Sequence, residues 1–186
     1  MTMQAENGRG RRGASGWRLL PWIGAAVLLS VPAVAMRLGA DVDWTAFDFI
    51  VAGIMLAVPL TVFELALRAS GGLAWRAGVV VALGTAFLIV WSNLAVGIIG
   101  SEDDPINLMF FGVLLVAIAG AFLARFRAKG LAIAMAATAV AQAGTAVVAL
   151  IGGHFTFVIV GVFTAGWALS AWLFRKAAAA EARPAP

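Results

Sequence analysis

The chain has no cysteine, a single histidine and few charges, and each shortage closes off a class of function. Without cysteine there is neither a disulfide framework nor a thiolate metal site. With His154 alone, a haem held between two histidines of one chain is impossible. Also missing are H-E-x-x-H, G-x-S-x-G, a glycine-rich phosphate loop and any nucleophile with a plausible base beside it. The expectation is therefore of no enzymatic activity, no catalytic residue, no cofactor and no metal centre. No polar connection is long enough to form a soluble domain, so any activity resides in the apolar segments or their short turns.

What is present is apolar. Hydrophobic residues make up 63% of the 186, charged residues 12%, and the mean hydropathy is +1.00. Soluble domains carry roughly twice that share of charge, which places the chain outside the soluble class. Spanning a bilayer takes about 20 mostly apolar residues. Six stretches qualify: 18–36, 48–68, 77–100, 106–125, 130–152 and 155–174. None alternates with period two, which excludes membrane strands. The expected fold is all-α, a polytopic membrane bundle of six transmembrane helices over 18–174. A basic tail, 1–17, precedes it, and a partly disordered tail, 175–186, follows, its "AAAAE" extending the sixth helix briefly before Pro184 and Pro186.

The basic balance, 13 Lys+Arg against 9 Asp+Glu, would suggest nucleic acid in a soluble protein. Here the charges fall in short segments between apolar runs, and topology explains them without nucleic acid. In a six-span chain every basic residue but Arg37 falls on one side, in the first tail, the second and fourth connections, and the last tail. Opposite stand Arg37, Asp41, Asp43, Asp48, Glu102, Asp103 and Asp104. The positive-inside rule then puts both termini in the cytoplasm. The preference for Arg over Lys and the abundance of Ala suit a GC-rich bacterial genome, hence a bacterial inner membrane.

Residues 9–35 also have the outline of a secretory signal, ending in Ala33-Val34-Ala35. An uncleaved first span is expected, and cleavage would leave five spans in the same orientation. Most tryptophans lie near span ends, as indole rings do at headgroup level, whereas Trp91 and Trp167 sit deeper and read as packing residues. On the fifth span Ala134, Thr138, Ala141, Thr145 and Ala149 form a stripe of small residues at helical spacing, which suits close helix approach. Gly97, Gly100, Gly112 and Gly120 offer smaller contact points on spans three and four. The same features would serve a homo-oligomer interface.

Polar side chains inside the apolar runs call for a partner or a purpose. Glu64 stands one turn before Arg68, as an i,i+4 ion pair would, or as a carboxylate handling protons or cations. Asn93 and Gln142 are of the type that hydrogen-bond between helices. At inner, outer and middle depths respectively, Glu64, Asn93 and Gln142 could line a polar pathway if they faced one another. Pro32 and Pro59 each free a backbone carbonyl and predict kinks. The segment "GIIGSEDDPINLMFF" reads as a turn in which span three ends at Gly100, Asp104 caps span four and Pro105 takes its first position. Its alternative is a shallow outer cation contact formed by Glu102, Asp103, Asp104 and His154, although adjacent flexible carboxylates impose no coordination geometry.

The run "WSNLAVGIIGSEDDPINLMFFGV", followed by "ARFRAKGLAIAMAATAVAQA", resembles a group of small, uncharacterised bacterial multi-pass membrane proteins. The resemblance covers residues 91–142 best and "WTAFDFIVAG…FELALR" more loosely. It implies an integral bacterial membrane protein and carries over no activity, cofactor or catalytic residue. The expected partners are the lipid bilayer and other membrane subunits or a second copy of the chain. The expected role is an accessory or assembly subunit of a membrane complex, the alternative a small proton- or ion-coupled transporter using Glu64.

Overall fold

The computed structural model describes residues 10–68, 72–101 and 103–183, with side chains from Leu19 onward. Among these residues there is no strand, and six helices are long and apolar enough to cross a membrane. They are α1 (Gly10–Arg37), α2 (Ala46–Arg68), α3 (Leu73–Ala95), α4 (Leu108–Leu123), α5 (Ala128–Ile151) and α6 (Phe157–Glu181), with one 3₁₀ turn, Pro105–Asn107, leading into α4. The chain is thus an all-α protein of multi-pass membrane character.

The helices divide into two units, Met1–Leu65 and Ala66–Pro186. In the first, α1 begins at Gly10, inside the basic segment expected to be a tail, and absorbs Pro21 and Pro32. Gly39, at φ +76°, ends it: the Gly39 N–H reaches back to Met36 O and the Ala40 N–H to Ala35 O. This pair of bonds is a Schellman cap, which needs a left-handed residue at that place. α2 opens with a reciprocal cap. The Thr45 N–H and hydroxyl both donate to Asp48 Oδ2 at 2.7 Å, and the Asp48 N–H donates back to Thr45 Oγ1 at 3.4 Å. Beyond Gly53 facing Leu29, α1 and α2 hardly approach each other.

The second unit holds the core. α4, α5 and α6 follow one another through tight turns, α5 packing on both α4 and α6, and α6 also packing on α3. The row is therefore α4–α5–α6–α3, with neighbours antiparallel. Phe174 lies against Gly78 and Thr85 against Gly166, which sets the register between α3 and α6. On the other side Gly120 faces Ala134 and Ala124 faces Gly130; an added Cβ at either glycine would stand 2.7 Å from the facing alanine Cβ. The α4–α5 hairpin is thus two Gly-x-x-x-Ala pairs crossed against each other, the small-residue geometry that lets helix backbones approach.

The α5 stripe lies on this contact surface: Ala134, Thr138, Thr145 and Ala149 are buried and Ala141 half-buried. Of the four glycines expected to pack on spans three and four, only Gly120 does so. Gly112 has open space beside it, while Gly97 and Gly100, at φ +69° and +65°, are turn residues beyond the end of α3. α3 stops at Ala95, five residues before Gly100, because the left-handed Gly97 turns the chain away. Trp91 is likewise exposed and stacked on Phe87, whereas Trp75, near a span end, is buried edge-on against Phe174.

Candidate functional site

Three groups of buried polar side chains stand out within the second unit. At mid-depth, α5 contributes Thr138, Gln142 and Thr145, and α6 contributes Trp167 and Ser170, all buried. The Thr145 hydroxyl donates to Gln142 O at 2.7 Å, and Gln142 Nε2 makes a long contact of 3.4 Å to Thr145 Oγ1. Gln142 Oε1 has no hydrogen-bond partner, nor has the Trp167 indole N–H. Counted from the α5–α6 turn, Gln142 is nine residues before Ile151 and Trp167 ten after Phe157, so the residues carrying the unpaired acceptor and the unpaired donor stand within about one residue of the same depth on adjacent helices. Ser170 is satisfied across the helix pair, its hydroxyl donating to Gly78 O of α3 at 2.9 Å.

Asn93 is buried on α3, its Nδ2 donating to Ile89 O at 2.8 Å and its Oδ1 unpaired. In the register set by Thr85 and Gly166, Asn93 is level with Val158 and Gln142 with Gly166. Eight residues at 1.5 Å each separate the two amides by about 12 Å in depth, so they do not meet. Glu64 belongs to the other unit, half-buried on α2. Neither Glu64 nor Arg68 is without an interaction partner.

The third group lies in the connection from α3 to α4. Ile98 and Ile99 are buried although they are not helical, so their backbone groups need partners away from water. Asn107 supplies them. The Ile99 N–H donates to its Oδ1 at 2.9 Å, and its Nδ2 donates to Ile99 O at 2.9 Å and Ser101 O at 2.7 Å. Asp104 caps the 3₁₀ turn, its Oδ1 accepting from the Ile106 N–H at 3.0 Å, with Pro105 in the first position. The acidic motif is a turn held from inside by an asparagine.

Asp103 is exposed, and His154 is half-buried in the α5–α6 turn, close to Gly152. Glu102 lies outside the described residues. Among the described residues no three His, Asp or Glu side chains come together as a metal site would require. Trp167, expected to pack, is buried, whereas sequence reasoning missed the roles of Asn107, Ser170 and Gly130. For Gly130 a signal existed, since Gly120-x-x-x-Ala124 and Gly130-x-x-x-Ala134 mirror each other across the turn. For Asn107 and Ser170, only the partner reveals the role. No protein-family model, curated protein or solved structure matches this chain.

Proposed function

We propose that this chain is an integral protein of a bacterial inner membrane, with both termini cytoplasmic, acting as a non-enzymatic accessory or assembly subunit of a larger membrane complex. The observation that carries the reading is the contrast between the two units. The second has a core of its own, whereas α1 buries none of its membrane-spanning residues and scarcely touches α2. Two apolar helices joined by a short capped turn suit a surface offered to another membrane subunit or a second copy of the chain. Charge supports the orientation. The antiparallel row gathers Arg76, Arg125, Arg127, Lys129, Arg175 and Lys176 at one end of the second unit and leaves Asp103 and Asp104 at the other.

Photo-crosslinking side chains placed at Val27 and Ile54, followed by gentle detergent purification, test the role. A defined protein adduct is expected, and adducts to lipid alone at both positions would refute it. The chain has no native cysteine, so single cysteines at Asp103 and Arg183 report topology by impermeant thiol labelling from each side. A small proton- or ion-coupled transporter is the second reading, favoured by the unpaired Oδ1 of Asn93 and Oε1 of Gln142. Proton-gradient-dependent flux in vesicles, lost in Glu64→Gln, would replace the first reading with the second.

A further inference from the structure

Three helices end in the same hydrogen-bonded cap, and the third breaks the rule the others keep. At the end of α1 the left-handed position is Gly39, and at the end of α5 it is Gly153 (φ +81°), with the His154 N–H bonded to Ala149 O and the Gly153 N–H to Leu150 O. At the end of α4 the same two bonds run from Phe126 N–H to Ala121 O and from Arg125 N–H to Phe122 O. There the left-handed residue is Arg125, at φ +49°, and Phe126 follows at φ +57°. Glycine is the ordinary occupant of that place, because a Cβ strains the left-handed backbone. The glycine that brings the turn close, Gly130, lies in the next helix, where Ala124 leaves no room for a Cβ.

The strained pair presents a particular surface. Arg125, Arg127 and Lys129 are exposed, and among the described residues their side chains make no ion pair or hydrogen bond. Between them Phe126 is half exposed, set edge-on to the outward Phe122 with ring centroids 5.4 Å apart. Exposed guanidinium and ammonium groups beside outward aromatic rings at the end of an apolar helix match a ligand that is anionic at one end and apolar at the other. The geometry points to a binding site for the phosphate of an anionic phospholipid at the α4–α5 turn. Arg125 and Arg127 hold the headgroup phosphate, Lys129 adds charge, and Phe122 and Phe126 lie along the acyl chains. A phosphate without chains lacks the apolar half of the match and is not the expected ligand.

The test is native mass spectrometry of the full-length chain in detergent, titrated with phosphatidylglycerol or phosphatidylcholine, with glycerol phosphate as the chain-free probe. Wild type is expected to retain phosphatidylglycerol selectively and to ignore glycerol phosphate. In Arg125→Asn with Arg127→Gln, the preference falls by about fivefold for each charge removed. Asparagine tolerates the left-handed backbone, and an unchanged melting temperature in phosphatidylcholine confirms that the turn survives. Lys176→Gln with Arg183→Gln removes equal charge elsewhere and is expected to change retention much less. Equal losses in both double variants would overturn the site in favour of diffuse attraction. Equal binding of glycerol phosphate would overturn the lipid assignment.

Discussion

Gly166→Ala adds one methyl group where α6 crosses α3, and the structure gives the sign of its effect. The new Cβ would collide with Thr85 Oγ1 and stand 3.1 Å from Thr85 Cγ2. Thr85 cannot yield freely, because its hydroxyl donates to Val81 O at 2.8 Å and the residue is buried. Overpacking costs about 1–3 kcal/mol, and displacing the hydroxyl from its bond about 1 kcal/mol more. Against these, replacing glycine by alanine in a helix gains about 0.5–1 kcal/mol. The net expectation is a loss of about 2 kcal/mol. Gly161→Ala, on the same helix with open space beside it, keeps only the gain. The assay is reversible unfolding in mixed micelles with a rising fraction of sodium dodecyl sulfate, followed by far-ultraviolet circular dichroism. Thr85→Ala combined with Gly166→Ala removes the collision and should recover most of the loss, a coupling that neighbouring side chains allow. Equal stabilities for Gly161→Ala and Gly166→Ala, or no recovery in the double variant, would refute the contact.

Three further outcomes follow from the same geometry. Asn107→Ala strips the partners from Ile99 N–H, Ile99 O and Ser101 O, and should cost about 2–4 kcal/mol with fast amide exchange at Ile99. Asn107→Asp keeps the acceptor and should leave Ile99 N–H protected. Arg125→Gly, measured in phosphatidylcholine, should stabilise by about 1 kcal/mol, whereas Gly153→Ala at the equivalent place should destabilise by a similar amount; the same sign for both in unfolding titrations would contradict the shared cap. Gln142→Leu removes an acceptor with no partner, so stability in the same titration should hold or rise; a loss above about 2 kcal/mol would show that Oε1 is bonded.

How much of this was legible depends on the range of the interaction involved. Span number and helical type follow from composition and run length, which are local. The cap formed by Asp104 and Pro105 was legible for the same reason, since its donor and acceptor are two residues apart. The end of α3 was not. Val96 to Ile99 are as apolar as the helix before them, and hydropathy does not separate a helix from a buried turn whose backbone is satisfied from eight residues away. Rotation about each helix axis was invisible for a related reason. Depth can be read along the chain, but Trp75 faces inward and Trp91 outward because of where α6 lies, which no span reveals alone. The same blindness left Glu64, Asn93 and Gln142 as a pathway of depths without directions.

The hydroxyl groups of the helices show what holds the second unit together. Thr85, Thr138 and Thr164 each donate to the carbonyl four residues earlier, and Thr145 to the one three earlier. Ser30 and Thr61 do the same in the first unit. A hydroxyl bonded to its own helix contributes little to helix association. Among the described hydroxyl groups of α3 to α6, only that of Ser170 donates from one helix to another. Specificity must then come chiefly from shape: Gly120 and Gly130 against alanines, Gly78 under Phe174, Gly166 under Thr85. Such contacts work without a hydrophobic driving force, which lipid does not supply between helices. Among the described residues of the first unit, Gly53 beside Leu29 is the one comparable approach, and it is looser: an added Cβ would meet Leu29 Cδ2 at 3.8 Å, an ordinary contact. If association here is a matter of shape, α1 and α2 lack the means to hold each other. Enlarging Gly53 to valine should therefore leave the chain's own unfolding unchanged, while the same change at Gly120 should not.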